Sequence, residues 1–303
     1  MKKFEEKTIW QGERHFLDDG KFHMNVTDVT DKGIEHPAYF PGYIEDKNHP
    51  LLFCNSLTHR DKQGNVMSTW SGSDSPDNFE KNKSRAPEGW KYFNKEIVYK
   101  VNNSGYRTYN WDEVNWEDSI LLLGCSCTYG VGVAEDETLA YLLEKISGKK
   151  VINLGSPAGS NSLIVTLLSL ALEKFPKPKA VVINWTAGDR YRHYFRNRFF
   201  DVGPWNSKNL FGKSEIVDGI SIGDAWESRY LNRYNELAEN FYLAKMAKAM
   251  CSSTKYVSLS YFDYIAHYTR SDFFVPADIS ARDMLHPGAN IHLQAAKQIH
   301  KLL

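Results

Sequence analysis

The feature that most restricts the fold is an alternation that begins near residue 118 and runs to the end of the chain. "SILLLG" is a short apolar run of the kind a buried parallel strand shows. "DETLAYLLEKISG" follows with Leu139, Leu142, Leu143 and Ile146 at helical spacing, Asp136 as the expected N-cap and Gly148 as the stop. "KKVINLG" and "KAVVINW" read as the second and third strands, with the apolar helix "SLIVTLLSLALEKF" between them. A long helix with Tyr230, Tyr234, Leu237, Phe241 and Ala244 on one stripe comes next, then the strand "KYVSLSYF" and the amphipathic helix "NIHLQAAKQIHKLL". Strand and helix in this order mean right-handed crossovers onto a parallel α/β sheet of four to five strands. Ligands of such sheets bind beyond the carboxyl ends of the strands, so the loops there carry the chemistry.

Residues 1–117 have a different character. They are polar, aromatic and turn-rich, as in "HPAYFPGY" and "SGSDSPDNFEKNKSRAPEGW", with short apolar runs such as "HPLLFCN" and "KEIVYKVN". The expected organisation is a loop-rich N-terminal extension or small accessory domain with some β-strand over 1–117, and an α/β domain over 118–303. Trp10, Trp70, Trp90, Trp111 and Trp116 fit packing within the extension better than a sugar platform.

Composition narrows the partners. Lys+Arg and Asp+Glu are both 37, so the chain lacks the basic excess expected of a nucleic-acid-binding protein. The N-terminal "MKKFEEKTIWQGERHF" has no apolar run and is not a secretory signal, and no stretch approaches the roughly 20 apolar residues of a membrane span. Four cysteines are too few for a disulfide framework, so Cys54 and Cys251 read as packing thiols of a cytoplasmic or otherwise soluble protein.

The loop after the first strand, "GCSCTYGVGV", has three readings. Cys125-x-Cys127 lacks the second pair a structural zinc site uses. Gly124 and Gly130 lack the spacing and the lysine of a phosphate-binding loop. A serine just past a strand end, followed by a helix, suits a nucleophile, which needs a base and a group to orient that base. "RDMLHPG" supplies both, with Asp283 three residues before His286.

Residues 118–303 resemble the SGNH (GDSL) hydrolases, a family of esterases, lipases and acetylesterases on a flavodoxin-like, three-layer α/β/α scaffold. The first block, G-D-S-x-T-x-G, is matched by Gly124-Cys125-Ser126-Cys127-Thr128-Tyr129-Gly130; the second by "NLGSPAGSN"; the last, D-x-x-H, by Asp283 and His286. The resemblance implies a Ser126–His286–Asp283 triad that hydrolyses a carboxylic ester, a short acyl or acetyl group on a carbohydrate or other small molecule, with no metal or cofactor. It places the backbone N–H groups of Ser126 and Gly155 in an oxyanion hole, with Asn161 as a third donor. Two positions depart from the pattern. Cys125 replaces the usual Asp, and Thr186-Ala187-Gly188-Asp189 replaces G-x-N-D, so the oxyanion asparagine is missing. The second departure opens an alternative: a catalytically weak or inactive SGNH-fold protein with a binding or structural role. The arginine-rich segment "DRYRHYFRNRFF" after the third strand reads as a surface helix or lid bordering the site.

Overall fold

The computed structural model describes residues 29–30, 33–34, 67–102, 104–195, 198–204, 216–217, 220–221, 223–224, 226 and 233–303. Trp10, Cys54, Tyr230 and the segments "HPAYFPGY" and "HPLLFCN" lie outside them. Five parallel strands form the central sheet: β1 (Ile120–Gly124), β2 (Val151–Gly155), β3 (Ala180–Trp185), β4 (Lys255–Ser260) and β5 (Phe273–Phe274). Their order is β2-β1-β3-β4-β5, the flavodoxin-like winding. Gly124 of β1 stands level with Gly155 of β2, and Leu123 with Ile183 of β3, so three strands end together beneath the loops that follow.

Helices among the described residues include α1 (Pro76–Lys83), α2 (Ser126–Tyr129), α3 (Leu139–Ser147), α4 (Asn161–Lys174), α5 (Arg233–Met250), α6 (Asp263–Thr269) and α7 (Ala289–Leu302). Side chains alternate across a strand, and each face of the sheet has its own core. Leu121, Leu123, Ile152, Leu154, Val181 and Ile183 pack against α4, Ala244 and Ala247 of α5, and Ile265 of α6. Ile120, Leu122, Val151, Val182, Val257 and Leu259 face the other way, onto Leu139 and Leu143 of α3 and Ile291, Ala295 and Ile299 of α7. This is a three-layer α/β/α sandwich. Burying each large aliphatic chain contributes about 1.5–3 kcal/mol, which is why both faces of these strands are apolar.

Three local expectations change. Helix α3 is capped by Thr138, whose Oγ1 accepts from the Tyr141 N–H, because residues 135–137 form a separate 3₁₀ turn that takes up Asp136. Tyr234, placed on the buried stripe of the long helix, is 86% exposed, whereas Ala244 is buried. The arginine-rich segment is no helix: Tyr191–Phe195 and Arg198–Val202 pair as an antiparallel hairpin. Its aromatic residues are of a type enriched in strands.

The described part of residues 67–117 packs into the α/β core. Trp90, Tyr92, Ile97, Tyr99, Val101, Tyr106 and Trp116 belong to the same cluster as Leu121 and Leu154. Trp116 stacks on Phe175 at the end of α4, ring centroids 3.9 Å apart. Arg107, itself buried, donates to the carbonyls of Gly130 (2.7 Å) and Val133 (3.2 Å), so the segment braces the loop that follows α2.

Candidate active site

Strand β1 ends at Gly124, Cys125 takes the N-cap position, and Ser126 is the first residue of the one-turn helix α2. The side chain of Ser126 therefore stands at the carboxyl edge of the sheet, 6% exposed. From the far end of the sequence, the turn Asp283–His286 reaches the same point just before α7. Met284 within that turn adopts φ +51°, a left-handed conformation that a non-glycine residue holds only when its surroundings enforce it. The Leu285 and His286 N–H groups both donate to Asp283 Oδ1, at 3.1 and 3.2 Å, and close the turn around the carboxylate.

The three side chains line up. His286 Nδ1 lies 2.6 Å from Asp283 Oδ2, and His286 Nε2 lies 2.8 Å from Ser126 Oγ. An ionised carboxylate only accepts, so the proton sits on Nδ1 and the Nε2 lone pair faces the serine hydroxyl. Burial pushes Asp283 toward its neutral form. The hydrogen bond and charge of His286, with help from the Ser73 hydroxyl and the Leu285 N–H, outweigh that and hold the carboxyl below its ordinary value.

The expected oxyanion donors fare differently. Among the described residues the Ser126 N–H, at the start of α2, has no acceptor within the protein. The Gly155 N–H, by contrast, donates to Asn153 Oδ1 at 2.9 Å. Asn161 is also spent. Its Oδ1 accepts from the Thr186 N–H (2.9 Å), which fixes the orientation of the amide, and its Nδ2 donates to Thr186 O (3.0 Å) and Asn240 Oδ1 (2.6 Å). Asn161 thus ties the start of α4 to the end of β3 and to α5, and both of its amide hydrogens are used there. At Gly188, where the family pattern has asparagine, a Cβ would sit 2.3 Å from Glu236 Oε1 and 2.7 Å from Asn240 Nδ2. Helix α5 occupies the room a side chain would need.

The flanking cysteines are buried free thiols. Hydrogen bonding from Cys127 holds the Cys125 thiol well below its ordinary range and pushes Cys127 up, and Arg190 adds to the lowering at Cys125. Among the described residues, no group of three or more His, Cys, Asp or Glu side chains is arranged to hold a metal ion, and no helix is long and apolar enough to cross a membrane.

Sequence reasoning missed Ser73. Its hydroxyl donates to Asp283 Oδ2 at 2.6 Å, from a position 210 residues away. The stretch "SGSDSPDN" carries only turn signals, and no local spacing marks one serine among several as a partner of the carboxylate.

No family model matches the chain, and no curated protein matches it. Among solved structures it is similar to a G-D-S-L-family lipolytic protein from Desulfitobacterium hafniense DCB-2, at 12% identity and a TM-score of 0.35, over 62% of this chain and 100% of that one. It is also similar to an acetyl xylan esterase from the rumen bacterium Butyrivibrio proteoclasticus, at 11% identity and a TM-score of 0.37, over 68% of this chain and 66% of that one.

Proposed function

We propose that the protein is a serine esterase that removes a short acyl group from a small-molecule or carbohydrate ester. The observation that carries this reading is the unbroken run from Asp283 Oδ2 through both His286 ring nitrogens to Ser126 Oγ, at 2.6 and 2.8 Å. In the reaction His286 Nε2 takes the hydroxyl proton as Ser126 Oγ attacks the ester carbonyl, and Asp283 steadies the imidazolium that forms. The Ser126 N–H and the first turn of α2 face the negative charge that develops on the carbonyl oxygen. His286 then gives its proton to the departing alcohol, leaving an acyl-Ser126. A water molecule that loses its proton to His286 cleaves that intermediate and restores the serine. The near burial of Ser126 favours a compact acyl group such as acetyl.

Hydrolysis of short p-nitrophenyl esters by wild type and Ser126→Ala tests the proposal. The variant is expected to lose about 10⁴-fold or more in kcat; equal rates would refute it. The engagement of Gly155 and Asn161 within the protein favours slow turnover, since one missing oxyanion donor costs roughly 10²–10³ in kcat. A fluorophosphonate probe separates a slow enzyme from a binding protein. Covalent modification confined to Ser126 marks the enzyme, and an unmodified serine marks a scaffold with a binding or structural role.

A further inference from the structure

We propose that Ser73 is a positioning residue of this site, a fourth member of the relay delivered by the N-terminal segment, whose hydroxyl fixes Asp283 Oδ2 for His286. The inference rests on the esterase reading for its catalytic consequence and on geometry for everything else.

Three observations converge on it. The first is the contact: Ser73 Oγ–H donates at 2.6 Å to Oδ2, the same oxygen that accepts from His286 Nδ1, while Oδ1 takes the two backbone N–H groups of its own turn. Each carboxylate oxygen thus has two donors, and Ser73 is the only one of the four that comes from outside residues 283–286. Without it Oδ2 keeps only the imidazole it is meant to orient, and the carboxylate is held in place through Oδ1 alone.

The second observation is that Ser73 is held in place. It sits in a tight turn closed by reciprocal backbone hydrogen bonds between Ser71 and Asp74 (2.9 and 3.0 Å), and its own carbonyl accepts from Asn78 Nδ2 of α1 at 2.7 Å. A side chain on such a turn keeps one direction, as a residue that orients another must.

The third is that the same segment grips the residue beside the carboxylate. The Arg282 guanidinium donates from Nε to Asp74 Oδ1 (2.8 Å) and from Nη2 to Asp74 Oδ2 (2.7 Å) and the Thr69 carbonyl (2.6 Å), and it lies 4.1 Å from the centre of the Trp70 ring. Asn82 Nδ2 donates to the Arg282 carbonyl at 3.2 Å. On its other side the Arg282 N–H donates to the Gly132 carbonyl, and the Gly132 N–H donates to Tyr99 Oη, whose own hydrogen goes to Asp74. Residues 69–99 therefore set the position of the 282–286 turn twice over, once through the Arg282 clamp and once through Ser73 at the working carboxylate.

The full chain carrying Ser73→Ala, Ser73→Thr or no change would be compared by proton NMR of the His286 Nδ1–H and by p-nitrophenyl acetate kinetics. Ser73→Ala is expected to retain its melting temperature within a few degrees, to exchange the Nδ1 proton with solvent several-fold faster, and to lose about tenfold in kcat with KM unchanged, the scale of one hydrogen bond to a charged group. Ser73→Thr, which keeps the hydroxyl, is expected to restore both. If Ser73→Ala does not fold, Ser73→Cys keeps the volume with a weaker donor and is expected to fall between alanine and wild type. A proton that exchanges as slowly in the folded alanine variant as in wild type would overturn the inference. The proton measurement does not depend on turnover: accelerated exchange in Ser73→Ala, alongside a wild type that hydrolyses no ester, would uphold Ser73 as the anchor of Asp283 and refute the esterase.

Discussion

Substitution of Asp74 by alanine isolates the clamp between the N-terminal segment and the 282–286 turn. Asp74 and Arg282 are 1% and 4% exposed at their side chains, and they meet through two parallel N–H···O bonds, with Tyr99 Oη donating to the same carboxylate. In Asp74→Ala the guanidinium keeps the Thr69 carbonyl and the faces of Trp70 and Phe79, but no counter-ion among the described residues. A buried cation left without its counter-ion costs about 3–5 kcal/mol, far beyond the ~1 kcal/mol of an exposed pair. For a domain of this size each kcal/mol moves Tm by about 2–4 °C, so a fall of roughly 6–20 °C is expected. A thermal melt followed by circular dichroism would measure the fall, and urea unfolding followed by tryptophan fluorescence should show the midpoint lowered with the m-value unchanged. The double variant Asp74→Ala/Arg282→Met removes both charges and is expected to recover most of the loss, because the penalty belongs to the orphaned charge and not to the missing attraction. A single variant that costs ~1 kcal/mol or less, or a double variant whose cost equals the sum of the singles, would refute this reasoning.

Two further outcomes follow from residues at the turn and on α7. Gly132 has φ +77°, and a Cβ there would meet Ala281 Cβ at 2.9 Å and Asp283 Oδ1 at 3.0 Å; Gly148 has φ +67° with nothing within 4 Å. Both alanine variants should lose ~1–2 kcal/mol to the left-handed backbone, but only Gly132→Ala should also lose tenfold or more in ester hydrolysis, and equal activities would contradict the geometry. His292 is fully buried, with Nδ1 donating to the Glu137 carbonyl at 2.9 Å and no partner for Nε2 among the described residues. Burial lowers its pKa from 6.5 to about 4. Between those values the unfolded chain binds a proton that the folded protein does not, so stability should fall as pH drops from 6.5 to 4, by on the order of 3 kcal/mol. Denaturant midpoints of His292→Gln, measured across that window, should be flatter with pH than those of wild type.

What could be read from the sequence, and what could not, divides by distance along the chain. The strands at 120, 151, 180 and 255 and the helices at 161 and 289 announce themselves because period and apolarity are local properties. Ser126, Asp283 and His286 stand out in the same way, from one short block after the first strand and one before the last helix, and the fold brings their side chains within hydrogen-bonding reach. The misreadings concern choices made by tertiary structure. Whether the N–H groups of Gly155 and Asn161 point at a substrate or at Asn153, Thr186 and Asn240 depends on neighbours that no spacing reveals. The exposure of Tyr234 depends on which face α5 lays on the sheet, and that is settled by the small Ala244 and Ala247 near its other end.

The clamp also bears on the order in which the chain comes together. Asp74 and Arg282 stand 208 positions apart, and Ser73 and Asp283 stand 210 apart. At ~5–20 residues per second, synthesis of the intervening chain takes about 10–40 s. Throughout that interval the turn that will hold Ser73 has no carboxylate to hold, and the cation that anchors the turn does not yet exist. Ser126 emerges well before its hydrogen-bonded neighbour His286, which lies 160 positions later.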